Sequence, residues 1–112
     1  MKRKKRKFIT DRERLRQLIE KATVDCYGED EQRSGVLTSV EENVVCPFRA
    51  KVIGEEVEVI SLEWSDLGNN VKALCKHKNK TYPIDISSLE WLDPLPEGFE
   101  WVEAYFAWCK GL

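Results

Sequence analysis

The sequence predicts an α+β fold: two N-terminal helices, an antiparallel sheet of four to five short strands, and a C-terminal helix. Three observations predict it. Apolar residues recur at helical spacing up to Val44, then at a period of two from Phe48 to Trp91, and at helical spacing again after Pro96. The change of period falls at Pro47, which cannot continue a helix and biases Cys46 towards an extended backbone. Finally, 112 residues with 42% hydrophobic and 34% charged side chains suit one globular domain with its own core.

The first helix reads from Phe8 to Val24. Leu15, Leu18, Ile19 and Ala22 fall on one stripe, Thr10 or Asp11 can cap it, and Gly28 follows it. A second helix over Asp30–Val44 places Glu29, Asp30 and Glu31 where a helix dipole favours acids, with Val36, Leu37, Val40 and Val44 as its buried face. Gly35 inside it costs about 1 kcal/mol of helix propensity relative to Ala. Strands then follow at Phe48–Ile53, Glu55–Trp64, Val71–His77 and Tyr82–Ile86, with a short fifth at Leu89–Trp91. Within the second, Val57 and Val59 share one parity whereas Ile60, Leu62 and Trp64 share the other, the pattern a β-bulge produces. Asp66–Asn70 and Lys78–Lys80 read as turns, and the resulting meander could curl towards a small barrel. Asp93-Pro94-Leu95-Pro96 stops the sheet and opens the last helix. Phe99, Val102, Phe106 and Cys109 line one stripe of that helix, and Trp101, Tyr105 and Trp108 the next, so it is apolar around much of its girth and needs burial.

Charge is unevenly divided. Residues 1–16 carry nine Lys/Arg against Asp11 and Glu13, a balance of +7, and the remainder carries nine against eighteen acids, a balance of −9. Residues 1–9 therefore read as a flexible basic arm and 10–112 as one acidic domain. The arm could touch nucleic acid, but no aromatic interleaving accompanies its lysines, and a solvated tail is the plainer reading. No apolar run is long enough to span a bilayer, and no apolar h-region follows the basic opening, so the expected location is the cytoplasm. The four cysteines, at 26, 46, 75 and 109, lack close pairing and are expected to be reduced, buried thiols.

Chemistry is sparse. His77, the single histidine, shares a strand with Cys75, and alternate strand positions are ordinarily just neighbours. There is no Gly-rich phosphate loop, nucleophile elbow or HExxH stretch, so the protein reads as a non-enzyme. The carboxylates are more informative. Asp25, Glu29, Asp30 and Glu31 cluster at one end of the second helix, and Glu41 and Glu42 at the other. Hard oxygen ligands of this kind suit calcium, which takes six to eight oxygens at about 2.3–2.6 Å. The EF-hand loop is absent. At about 1.5 Å per residue, Glu31 and Glu42 stand about 16 Å apart on one helix and cannot share an ion.

The stretches VDCYGEDEQ, then Gly35 with VLTSVEENV, then CPFRAKVIGEEVEV resemble the CcbP-type calcium-binding protein family of bacteria. Asp25, Tyr27, Glu31, Gln32, Gly35, Glu41, Glu42, Pro47, Phe48, Ala50 and Val52 carry the resemblance, which covers roughly Val24 to Leu92. It implies calcium held by acidic side chains outside the EF-hand scheme, on helices and a small sheet. The resulting expectation is a cytoplasmic calcium buffer or sensor with calcium as its ligand. The candidate ligands are Asp25, Glu29, Asp30, Glu31, Glu41 and Glu42. The alternative is a protein-interaction module, which would need Trp101, Tyr105 and Trp108 exposed on the last helix to receive a protein partner.

Overall fold

The structure, a computed structural model, describes residues 8–64 and 70–111. Its order is α1 (Arg12–Ala22), α2 (Glu29–Asn43), β1 (Phe48–Val52), β2 (Glu55–Trp64), β3 (Val71–His77), β4 (Lys80–Asp85), a 3-10 turn (Ile86–Ser88), β5 (Glu90–Trp91) and α3 (Phe99–Cys109). The α+β class and the five antiparallel strands are as the sequence predicts. The sheet order is β4-β3-β2-β1-β5, which leaves two free edges; the sheet is open and does not curl into a barrel. Each edge is protected by its own sequence. β5 is two residues long, and β4 carries Pro83, opposite Leu74, in a position where a missing N–H weakens recruitment of another strand.

α1 is capped by Asp11, whose side chain accepts the Glu13 N–H at 3.2 Å. It buries Leu15 and Leu18 against Ala104 and Ala107 of α3, with Phe8, Ile19 and Trp101 around them. α2 follows a tight connection in which Asp25 has a left-handed backbone, φ 63°, a conformation Asp tolerates better than most residues. Val36, Leu37 and Val40 of α2 face the sheet with Val102 and Tyr105 of α3. α2 crosses α1 closely at Gly35, where a Cβ would lie 2.3 Å from the Ala22 carbonyl oxygen. The predicted stripe of α3 shifts accordingly. Val102, Ala104, Tyr105 and Ala107 are its deepest apolar residues, because the helix is covered by α1 on one side and by α2 and the sheet on another. α3 also starts later than the prolines suggest, at Phe99. Its N-cap Gly98 has φ 87° and lies so close to the Asn43 carbonyl that a side chain would collide with it.

The phase change inside β2 is a bulge. Its pairing with β3 shifts between Val59 and Ser61. Ile60 is the extra residue and is 37% exposed, so it does not share a face with Leu62 as its parity predicts, whereas Leu62 resumes the core face. Ile86, expected at the end of β4, is fully buried in the 3-10 turn. That turn is capped by Asp85, which accepts the Ser87 N–H and hydroxyl at 2.9 and 2.7 Å. Burial pushes the Asp85 carboxyl up, but these bonds, Lys72 and Asn70 outweigh it and hold it below the usual range.

Two expectations change at the termini and the thiols. Met1–Lys7 of the basic arm lies outside the described residues. Phe8 and Ile9, counted with the arm by sequence, are anchored instead. The buried Glu103 carboxylate accepts the Ile9 N–H at 2.8 Å, and the Thr10 N–H and hydroxyl at 2.8 and 2.5 Å. Nothing in the helical pattern announces this role: Glu103 reads as a polar gap in an apolar helix. Of the four free cysteines only Cys75 is buried; Cys26 and Cys46 are half-buried and Cys109 is exposed, since the last turn of α3 runs beyond the core.

Candidate metal centre

The outer face of the sheet is electrically balanced. Cross-strand neighbours set Arg49 beside Glu58 and Glu58 beside Lys76, Lys51 beside Glu56, and Glu63 and Asp85 on either side of Lys72. Opposite charges in facing positions stabilise a sheet, and like charges there do the reverse. Lys51, Lys72 and Lys76 thus each face an acid, and Arg49 reaches Glu56 at 2.9 Å, which keeps the Glu56 carboxyl below its ordinary range. This balance leaves α2 as the acidic element. It carries Glu29, Asp30, Glu31, Glu41 and Glu42 against one base, Arg33.

At the start of α2 the acids already have partners. The Tyr27 N–H donates to Glu31 Oε2 at 3.2 Å, closing the entry to the helix much as a capping box does. Arg33 reaches back one turn, with Nη2 3.7 Å from Glu29 Oε1 and Nη1 3.5 Å from Asp30 Oδ1. Asp25 stands on the connection before them, exposed like Glu29, Asp30 and Glu31. Tyr27, between these acids, is 89% exposed.

At the far end Glu41 and Glu42 are exposed, and the last turn contains no basic residue. Glu41 Oε2 accepts the Trp64 N–H at 3.3 Å, tying the end of α2 to the end of β2. The Asp66–Asn69 part of the turn that follows Trp64 lies outside the described residues. Both acidic groups therefore sit on one helix at opposite ends, as their spacing requires. The structure does not bring the two together.

The donor set fits a hard cation. It consists of exposed carboxylate oxygens with access to water; the buried Cys75 thiol lies on the sheet, and the half-buried Cys26 is the chain neighbour of Asp25. Among the described residues, no three His, Cys, Asp or Glu side chains converge as a ready-made cage. The two helix ends also differ electrostatically. The dipole at the N-terminus stabilises carboxylates and opposes a bound cation, while the C-terminal carbonyls attract one. On this ground the Glu41–Glu42 end is the better local environment for a cation, and the Asp25–Glu31 end has more carboxylates.

His77 Nε2 lies 3.6 Å from Glu55, and Cys75 beside it is buried with its thiol towards the Ala73 carbonyl. The Cys-x-His pair is a strand-neighbour arrangement. The aromatic stripe of α3 is likewise committed to packing: Tyr105 is 8% exposed, and Trp101 and Trp108 are half-buried against the core. No helix among the described residues is long and apolar enough to cross a membrane.

Comparison with known proteins bears on the family and the fold. The sequence profile of a calcium-binding family, CcbP, matches residues 16–109. In three dimensions the chain is similar to the crystal structure of Anabaena CcbP, with a TM-score of 0.74 and 18% identity over 90% of this chain and 93% of that one. It is also similar to a calcium-binding protein in its calcium-binding form, with a TM-score of 0.68 and 18% identity over 88% and 90%. No curated protein sequence matches it. The family match runs from within α1 through the whole sheet to the end of α3, nearly the full domain, and the chain belongs to the CcbP family of calcium-binding proteins.

Proposed function

We propose that this protein is a cytoplasmic, non-EF-hand calcium-binding protein, a buffer or sensor without catalysis, whose ions are held by the carboxylates at the two ends of α2. Its membership of the CcbP family is the observation that carries the reading. Asp25, Glu29, Asp30 and Glu31 form the first candidate group, and Glu41 and Glu42 the second. Neither group fills a calcium shell by itself, so water, backbone carbonyls and side-chain rotation supply the remaining oxygens. Exposure of all six side chains makes that inexpensive, since a rotating surface carboxylate opens no cavity.

The sheet supports the assignment by exclusion. Its balanced outer face offers a cation no net attraction, whereas α2 does. The protein-interaction alternative needs an exposed aromatic surface on α3, and Tyr105 is buried there.

Isothermal titration calorimetry tests the proposal. The wild type should release or absorb heat on calcium addition. The combined Asp25→Asn, Glu29→Gln, Glu31→Gln variant should lose one class of site, and Glu41→Gln with Glu42→Gln the other. Absence of any calcium heat at millimolar ion in the wild type refutes the proposal.

A further inference from the structure

Resting on the reading that calcium binds the first acidic group, we propose that Arg33 is the chain's own competitor for that ion, and that its displacement is reported at Trp108. The guanidinium occupies a particular position. On one side it faces the Glu29 and Asp30 carboxylates, at 3.7 and 3.5 Å. On the other it lies over the Trp108 ring, with Cζ 5.7 Å from the centroid. It lines the cleft between the start of α2 and the end of α3, together with Glu29, Gln32, Tyr105, Trp108 and Cys109. Its side chain is 30% exposed, against 80% for Glu29, so the arginine is held while the carboxylates are free to turn.

Physical consequences follow from that position. A divalent ion at Glu29 and Asp30 cannot share them with a guanidinium without placing three positive charges within a few ångströms. Binding therefore requires Arg33 to leave the carboxylates. An arginine stacked on an aromatic face has somewhere to remain when it does, because the cation–π contact holds it independently of the acids. Arg33 accordingly swings within the cleft towards Trp108, Tyr105 and Cys109. It already exerts its charge on the latter two, lowering both ionisations against the larger effect of burial. Calcium occupancy at the head of α2 thus changes the electrostatic surroundings of a tryptophan on α3.

The strength of two exposed pairs spaced i,i+3 and i,i+4 sets the scale, about a three- to fivefold change in affinity. Calcium chloride titrated into the full chain should show Arg33→Gln binding about three- to fivefold more tightly than wild type, with Arg33→Lys between them. Tryptophan emission should change with calcium in the wild type and lose most of that change in Trp108→Phe. The Arg33 Nε–H signal of the unaltered protein should shift on calcium addition, a readout that needs no variant to fold. Affinity of Arg33→Gln within experimental error of wild type, or weaker, overturns the inference, as does an Arg33 signal that ignores calcium. Glu29→Gln with Asp30→Asn separates the two levels. If calcium binding is undiminished there, the ion does not sit at this end and the underlying assignment fails as well. If binding is lost while Arg33→Gln is neutral, only the role of Arg33 fails.

Discussion

Replacing Gly35 with alanine sets local propensity against tertiary contact, and the two predict opposite signs. Gly35 lies inside α2, where alanine is better than glycine by about 1 kcal/mol. Propensity alone therefore makes Gly35→Ala stabilising. The tertiary contact reverses this. The new Cβ would stand 2.3 Å from the Ala22 carbonyl oxygen and 3.4 Å from Cys26 Sγ. An ordinary carbon–oxygen contact is about 1 Å longer than the first of these, so α1 or α2 must move by about that much. Neither moves easily. The end of α1 is tied by the Thr23 N–H and hydroxyl, both donating to the Ile19 carbonyl, and Leu15 and Leu18 hold its body against α3. Overpacking of a tight core costs about 1–3 kcal/mol, and a backbone-on-backbone collision belongs at the upper end. Offsetting the propensity gain leaves a loss of about 2 kcal/mol. For a domain of this size that lowers Tm by about 6–10 °C. Denaturant titration followed by circular dichroism measures it, provided the m-value stays unchanged. A variant as stable as the wild type, or more so, refutes the argument and shows that the α1–α2 crossing yields.

Ile53→Asn should stabilise the protein by about 1 kcal/mol, read from the same denaturant midpoint. Ile53 is 91% exposed and, with Gly54, forms the two-residue β1–β2 turn at φ 50° and 75°, a left-handed backbone that a β-branched residue resists and Asn accepts. A destabilised Ile53→Asn would mean that its side chain has a contact on the surface worth more than the backbone strain. Burial, with a contribution from Cys109, pushes the Tyr105 hydroxyl up to about 12. Because the folded value lies above the unfolded one, the stability linked to its neutral form is complete below about pH 10 and is lost as pH rises towards about 12. Absorbance of tyrosinate should show this late ionisation in the wild type, and Tyr105→Phe should remove it; a Tyr105→Phe titration identical to wild type contradicts the assignment.

Much of the architecture was legible because the period of burial writes itself into sequence. Leu15 and Leu18 mark α1 at helical spacing, and Val71, Ala73 and Cys75 mark β3 by alternation. Even the bulge in β2 is visible, since one extra residue reverses the facing of Leu62 relative to Val59. The position of the acids at both ends of α2, and their separation, follows from helix rise alone. What escaped depends on residues distant in the chain. Gly35 reads as a weak helix position and is in fact the clearance for Ala22. Glu103 is a polar gap in an apolar helical pattern and is the buried acceptor for Ile9 and Thr10, about ninety residues earlier. Arg33 reads as one charge among many and proves to lie between Glu29, Asp30 and Trp108.

The sequence by itself determined the class of fold, the order of its elements and the places where carboxylates collect, because periodicity, turn chemistry and helix geometry act over a few residues. Only the tertiary structure decided that the sheet stays open, that α3 packs against both α1 and α2, and that Arg33 stands beside the first acidic group. Those features arise where segments far apart in the chain exclude or attract one another, and no local pattern encodes the distance between them.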